Sequence, residues 1–362
     1  MRSIEPPLKR CDAFCEAYGL RIPILLAPMA GACPPSLSVA VGNAGGMGAC
    51  GVLLMQPDAI GQWARDYRAG SNGSFMLNNW IPDPAPDRDV AHESAVRDFL
   101  GTWGPEVFPE AADRKPPDFA AQCEAMINAR PQIISSIMGL YPAEFVDRMK
   151  EADIKWFATV TTVEEAIQAE AAGADVVVAQ GMEAGGHRGA FEANRAADRL
   201  VGLFALVPAV ADSVQVPVVA AGGIADARGI TSALMLGASA VMIGTGLLRS
   251  PEAKIPQAWA DAIGQAQPDD TIATRAFSGR LGRSIRTAYA VAANDQDAPA
   301  PAPYPVQRAL TQAMRDEANK AGDIDRMQAW AGQSARLSRA APADQLVTEL
   351  WEQAEELLGR VR

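Results

Sequence analysis

One histidine lies in a glycine-rich run directly after an apolar segment. The run GMEAGGHRG spans residues 181–189, and His187 is one of only two histidines in the 362-residue chain. The flanking glycines permit backbone geometry that other residues avoid, so a ligand could pass close to the chain. Imidazole titrates near neutrality and is a common general base. The pattern favours His187 as a catalytic base, with a purely structural histidine as the alternative.

Two further loops have the composition of phosphate-binding sites. Residues 220–224, AAGGI, and residues 243–246, IGTG, each follow an apolar run. Backbone N–H groups and helix N-termini bind phosphate, and α/β barrels often place that site after strands seven and eight. Simple tight turns are the alternative. The nearest basic residues along the chain are Arg188 and Arg249, so a single phosphate bound mostly by backbone is indicated. FMN meets that requirement. No GxGxxG fingerprint follows a predicted strand, which weakens the case for a Rossmann-type NAD site.

Two other loops could contact a flat ligand. The first, residues 27–31, contains Ala27, Pro28 and Met29 and follows the first apolar run. It fits either a rigid turn or a close backbone approach to a ligand. The second places Asn78 and Asn79 at the end of the third run. Their amides could hydrogen-bond the edge of a heterocycle or cap the segment that follows.

Short apolar runs alternate with amphipathic helical periods along most of the chain. Several runs are continuously apolar, as in parallel strands covered on both faces. Eight strands with helical crossovers fit an α/β fold of the TIM (β/α)₈ barrel type, with an open doubly wound sheet as the alternative. The predicted strands are residues 24–27, 48–53, 74–80, 132–138, 155–160, 174–180, 216–222 and 238–244. The predicted crossover helices are residues 36–43, 57–68, 117–129, 142–152, 163–172, 200–213 and 227–236.

Two segments interrupt this alternation. Residues 81–117 contain seven prolines and many charges, which predicts a long irregular excursion with His92 at its surface. Residues 251–323 follow the eighth strand and predict a smaller, mainly helical lid or substrate domain. The barrel would then comprise residues 1–250 and 324–362, and a helix at residues 342–358 would close it.

The composition is that of an ordinary globular protein, with 49% hydrophobic and 21% charged residues. A net charge of -11 argues against nucleic acid or an anionic membrane as a partner, because both favour a basic surface. No signal-peptide pattern or run of roughly 20 apolar residues is present. The five cysteines are expected to be reduced thiols, and no metal-ligand cluster accompanies them. We therefore expect a cytoplasmic enzyme that acts on a small molecule without a metal, with a homodimer as one candidate assembly.

Taken together, these motifs resemble those of the nitronate monooxygenases, also called 2-nitropropane dioxygenases. The matching segments are APMAGACPPSLSVAVGNAGGMG at residues 27–48, QGMEAGGHRG at 180–189 and VPVVAAGGIADARGITSALMLGASAVMIGT at 216–245. The segment AWAGQSARL at residues 329–337 also resembles the closing segment of the family. The central motif is specific, whereas the others are shared with wider FMN-binding barrels.

The resemblance implies a TIM barrel with a smaller second domain that binds FMN and no metal. It implies that His187 removes the α-proton of a neutral nitroalkane or orients a nitronate. One electron then passes to the flavin, and O₂ yields a carbonyl compound and nitrite. With the loops above, the predicted FMN contacts are Ala27, Pro28, Met29, Asn78, Gln180, Gly185, Gly186, Gly222, Gly223, Met242, Ile243, Gly244 and Thr245.

The chain departs from the family pattern in three places. The excursion after Asn78 is longer than expected, Asn79 stands where an apolar residue is expected, and Met242 replaces a common glutamine. The nearest alternative is an NAD(P)H-dependent FMN reductase of the same barrel superfamily, either an enoyl-acyl-carrier-protein reductase or a quinone reductase. Arg188 favours the nitronate group. An inactive flavin- or phosphate-binding protein is a further alternative.

Overall fold

The computed structural model describes residues 5–359 and contains one sheet of eight parallel strands. All eight predicted strands are confirmed, and each begins and ends within two residues of its predicted bounds. Their continuously apolar runs are buried because both faces of the sheet are covered. The strands are β1 Ile24–Leu26, β2 Gly48–Gly51, β3 Phe75–Trp80, β4 Ile133–Ile137, β5 Lys155–Val160, β6 Val176–Gln180, β8 Val218–Ala221 and β9 Ala240–Ile243.

The sheet closes into a ring. Its strands follow the order β1-β9-β8-β6-β5-β4-β3-β2. The Leu26 N–H donates to the Met47 carbonyl at 2.9 Å, and the Met47 N–H donates to the Ile24 carbonyl at 3.1 Å, which joins β1 to the start of β2. The predicted TIM-barrel architecture is therefore confirmed, and the carboxyl ends of all eight strands meet at one mouth.

Helices cover the outside of the ring. The C-terminal helix, Ala343–Gly359, packs against the helices Pro35–Ala44 and Ala227–Met235, as the prediction of a closing helix requires. Between residues 5 and 359, no helix combines the length and apolar content that a membrane crossing requires. The helices are α1 Pro7–Tyr18, α2 Pro35–Ala44, α3 Pro57–Gly70, α4 Val90–Gly101, α5 Phe119–Ala129, α6 Ala143–Glu151, α7 Val163–Ala171, α8 Leu203–Ser213, α9 Ala227–Met235, α10 Gln257–Gln265, α11 Ala288–Ala292, α12 Val306–Leu310, α13 Gln312–Ala321 and α14 Ala343–Gly359.

The excursion at residues 81–117 is more ordered than predicted. It contains α4, which begins where the Asp89 side chain accepts the N–H groups of two following residues. The buried side chains Val96 and Leu100 on this helix belong to one apolar cluster with Phe277 and Tyr289. The prediction of an irregular segment is therefore wrong for α4, because its apolar side chains pack against residues that follow the last barrel strand.

The segment after β9 is also not purely helical. It includes β10 Thr271–Thr274 and β11 Gly282–Ile285 in addition to α10 to α13. Strand β11 pairs antiparallel with β10 and with β7, Gly186–His187, which belongs to the glycine-rich loop. Such short strands lack enough alternation to be recognised in a sequence. The division into a barrel at 1–250 and 324–362 and a smaller domain at 251–323 stays a prediction.

A buried glutamine supports the outer face of β3. The Gln122 amide nitrogen donates to the carbonyls of Val52 and Met55, each at 2.9 Å. Its carbonyl oxygen accepts from the Asn79 amide at 2.9 Å. Asn79 is fully buried, so the polar residue that departs from the family pattern has a complete partner on α5. At position 79 an asparagine therefore replaces the expected apolar residue on the outer face of the barrel, where it pairs with Gln122.

We expect Gln122→Leu to lower the free energy of unfolding by about 1–3 kcal/mol, because it leaves buried carbonyls and the Asn79 amide without hydrogen-bond partners. The shift is measured as a lower midpoint in urea unfolding. Gln62→Leu is the matched control, because Gln62 is exposed on α3 and its loss should cost less than about 0.5 kcal/mol. Equal shifts in the two variants would contradict the structural role of Gln122.

Candidate active site

A cavity of about 460 Å³ lies at the carboxyl ends of the barrel strands. Its volume falls in the range of roughly 300–1,000 Å³ that is usual for small-molecule sites. All predicted site residues line it except Ile243, which is fully buried in the barrel wall and accepts the Ala27 N–H at 2.9 Å. The predicted residues at the cavity are Ala27, Pro28, Met29, Asn78, Gln180, Gly185, Gly186, His187, Gly222, Gly223, Met242, Gly244 and Thr245.

Three consecutive backbone N–H groups at this cavity lack a partner. Gly222, Gly223 and Ile224 line the cavity, and none of their N–H groups donates to another residue between 5 and 359. Gly222 and Gly223 have φ of 108° and 68°, a region that favours glycine. Successive N–H groups in such a turn can converge on one anion. The loop after β8 therefore has the donors of a phosphate site.

The glycine-rich loop is held against the segment AWAGQSARL. A Cβ atom on Gly185 would lie 2.5 Å from the backbone nitrogen of Gly332, so only glycine allows this approach. The Gly332 N–H donates to the Thr245 hydroxyl at 3.0 Å, and the Gln333 N–H donates to the Glu183 carbonyl at 2.9 Å. The C-terminal segment therefore joins the loops that follow β6 and β9.

Gln180 uses its side chain to hold the same loop. Its amide nitrogen donates to the His187 carbonyl at 3.0 Å, and its carbonyl oxygen accepts the Gly189 N–H at 2.8 Å. These two bonds fix the backbone on both sides of Arg188. Gln180 thus positions the backbone that carries His187, in addition to lining the cavity.

His187 lies between two tryptophans. Its ring centroid is 4.6 Å from that of Trp80 and 4.8 Å from that of Trp330, both in edge-on geometry. Its Nε2 lies 2.7 Å from the Ser278 hydroxyl oxygen, and its backbone pairs with Gly282 on β11. The other ring nitrogen has no partner within residues 5–359. The imidazole is therefore fixed in place with one nitrogen free.

The surroundings of His187 disfavour the imidazolium. Burial lowers the pKa of His187 to about 3, and repulsion from Arg308, Arg280 and Arg315 adds to the effect. An unperturbed histidine has a pKa of about 6.5. The pKa of His187 therefore lies well below the near-neutral value of a free imidazole, and these surroundings favour the neutral form. The assignment of His187 as a catalytic base stays a prediction.

The two neighbouring asparagines at the end of β3 have different roles. Asn78 lines the cavity, and its amide donates to the Ser135 hydroxyl at 2.9 Å. Asn79 faces the opposite side of the strand and contacts Gln122 on α5. Successive side chains of a strand alternate between its faces, so only one of the pair can reach a ligand.

The basic residues at the cavity are not the two that lie nearest to the phosphate-like loops along the chain. Arg188 and Arg249 donate to backbone carbonyls and do not line the cavity. The cationic side chains that do are Lys254, Arg308 and Arg315, which the sequence analysis missed. A spacing of seven places Arg308 and Arg315 on one face of a helical period. No feature of the sequence shows that this face packs over the barrel mouth.

A family model described as nitronate monooxygenase matches residues 14–353, which include every loop at the cavity. The chain belongs to the nitronate monooxygenase family. The resemblance inferred from the motifs is thus confirmed. So is the prediction of an enzyme of the flavin-dependent monooxygenase class, at the level of the family.

Individual relatives agree with this assignment. A nitronate monooxygenase of Paraburkholderia phytofirmans is 35% identical over 360 residues, 97% of each chain. Among solved structures, nitroalkane oxidase from Streptomyces ansochromogenes is similar with a TM-score of 0.86 and 33% identity, covering 95% of this chain and 98% of its own. FabK from Thermotoga maritima gives a TM-score of 0.76 and 28% identity, covering 97% and 98%.

We expect His187 to stay neutral from pH 8 down to pH 5. The chain has only two histidines, so His92→Gln leaves a single imidazole whose ring signals can be followed by NMR. The pKa of about 3 predicts no titration of that signal in this range, because both burial and the three guanidinium groups oppose protonation. A titration midpoint close to 6.5 would contradict this prediction.

Proposed function

We propose that this member of the nitronate monooxygenase family binds FMN and oxidises alkyl nitronates with O₂ to carbonyl compounds and nitrite. The proposal rests on one observation: the unpaired N–H groups of Gly222–Ile224 and the imidazole of His187 line the same cavity. In this reaction, two nitronate anions and one O₂ give two carbonyl compounds and two nitrite ions.

The residues at the cavity fit FMN. The N–H groups of Gly222, Gly223 and Ile224 can hold a phosphate without a cationic side chain. Ala27 and Met29 would offer an apolar surface to the FMN ring system, and Asn78 would supply an amide. When bound, FMN supplies the electron-accepting chemistry that the side chains of this protein lack.

The neutral state of His187 bears on which substrate is used. Its free nitrogen can accept the α-proton of a neutral nitroalkane, but the pKa of about 3 makes this transfer unfavourable. A nitronate has already lost that proton. Its oxygens can accept a hydrogen bond from the imidazole N–H, which would orient the anion. Nitronates are therefore the better substrates, and neutral nitroalkanes are slower ones.

A reductase is the second candidate, and it needs NAD(P)H as its reductant. The structural match to FabK is weaker than the match to nitroalkane oxidase, so it does not favour this alternative. Two assays on the purified protein separate the candidates: nitrite formation from 2-propyl nitronate in air, and flavin bleaching by NADH or NADPH without oxygen. Rapid bleaching without nitrite formation would support the reductase and overturn the proposal.

We expect the purified protein to contain noncovalently bound FMN and the Gly223→Val variant to have lost it. A Cβ on Gly223 would lie 3.2 Å from the Glu183 Cβ, and a bulky side chain would occupy the space of the phosphate. Gly322→Val is the matched control for backbone strain, because Gly322 has φ of 66° against 68° and no atom within 4 Å of its Cβ position. Released flavin is quantified after denaturation. Equal FMN content in the two variants would place the phosphate elsewhere.

We expect His187→Asn to reduce turnover of neutral 2-nitropropane by less than the roughly 10²- to 10⁴-fold contribution of a base whose pKa matches the working pH, because the low pKa of His187 weakens it as a base. Turnover of 2-propyl nitronate should fall much less, because no proton has to be removed. The difference is measured as kcat/KM for both substrates, with Ser278→Ala as a variant that retains the imidazole. Equal losses for both substrates would reduce His187 to a structural residue.

A further inference from the structure

Arg308 is a cationic side chain at the cavity that has no partner. It lies on α12, is half-buried, and lines the cavity. No hydrogen bond or ion pair of its guanidinium is formed with any residue between 5 and 359. Asp316 also lines the cavity, but it forms no ion pair with Arg308. Arginine remains charged in proteins, so this site holds a partly buried positive charge that Asp316 offsets only from beyond contact distance.

The other arginines around His187 have partners within the protein, although Arg280 also has a buried Nη2 without a hydrogen bond. Arg315 donates to the Thr311 hydroxyl, the amide oxygens of Gln312 and Gln328, and the Arg308 carbonyl. Arg280 forms an ion pair with Asp83 at 3.1 Å and donates to a backbone carbonyl. These groups hold the local structure. Arg315 in particular donates to the backbone carbonyl of Arg308. The backbone that carries the unpaired Arg308 guanidinium is therefore held in place.

The turn that leads into the helix of Arg308 lies across the barrel from the unpaired N–H groups. Tyr304, on the turn before α12, packs its ring 5.2 Å from that of Trp80 at the carboxyl end of β3. In the closed ring of eight strands, β3 is four positions from β8, whose loop carries Gly222 and Gly223. The cavity therefore has two separate positions for anions. One consists of backbone N–H groups and the other of a guanidinium near His187.

We propose that Arg308 binds the anionic nitronate group of the substrate and makes the site selective for planar anionic groups with two oxygens. The inference rests on the proposed function, in which FMN phosphate occupies the N–H triplet and leaves Arg308 for the substrate. A guanidinium binds such an anion through two parallel hydrogen bonds. A neutral nitroalkane carries far less charge on the same two oxygens, so it gains less from this contact.

The test uses the FMN-loaded protein and three variants. Arg308→Met removes the charge at similar length, and Arg308→Lys keeps the charge but loses the two-pronged geometry. Arg286→Met is the control, because Arg286 is exposed and does not line the cavity. Binding of isobutyrate, a carboxylate with the same heavy-atom connectivity as 2-propyl nitronate, is measured from the change in flavin absorbance. KM is measured for 2-propyl nitronate and for 2-nitropropane.

In Arg308→Met we expect the isobutyrate Kd and the nitronate KM to rise roughly ten- to hundredfold, the usual effect of losing a charged hydrogen bond. The KM for 2-nitropropane should change less than about threefold, since that ligand does not use the charge. Arg308→Lys should be intermediate, and Arg286→Met should match the unaltered protein. FMN content should stay constant in all of them.

Three results would overturn the inference: unchanged nitronate KM in Arg308→Met, an equal rise for the neutral substrate, or loss of FMN, which would assign Arg308 to the cofactor. Should Arg308→Met not fold, the same comparison is decided with Arg308→Lys. The outcome is separable from that of the proposed function. A protein that binds isobutyrate through Arg308 but forms no nitrite would contradict the proposed function and leave the anion site standing.

Discussion

Hydrogen bonds from Leu26 to Met47 and from Met47 to Ile24 join the first strand to the second and close the ring. Closure decides where the chemistry can be, because parallel strands in a ring bring all their carboxyl ends to one mouth. Loops that are far apart in the chain then share a cavity. The contact between Gly185 and Gly332 draws the loop after β6 and the C-terminal segment together over that mouth. A residue larger than glycine at either position would push the two backbones apart.

The charges around the cavity are unevenly distributed. On the side of β8 the donors are backbone N–H groups, whereas α12 and α13 bring guanidinium groups to the side of β3. The same guanidinium groups, with burial, keep His187 neutral. An unpaired buried charge costs folding free energy, so its persistence is expected where a ligand anion supplies the missing partner. Arg315 and Arg280 therefore stabilise the local structure, whereas the charge of Arg308 is left for a ligand.

The predicted strands and crossover helices agree with the structure because local patterns are sufficient to define them. Continuous apolar runs can only be buried strands when helical periods of the right length separate them. The prediction was wrong for residues 90–101, where apolar side chains form a helix that packs on a distant part of the chain. It was also incomplete for β10 and β11, which are too short to show alternation. Both differences arise from contacts between segments far apart in sequence.

The sequence alone determined the barrel, the loops that line its mouth and the position of His187 in a glycine-rich loop. Each of these follows from local composition: apolar runs, glycine-rich turns and a histidine in a loop. Tertiary structure decided which of Asn78 and Asn79 faces the cavity, why Ile243 does not, and which arginines reach it. It also decided the pKa of His187. Burial and charge at a point in space depend on every segment that packs there, and no local pattern along the chain contains that information.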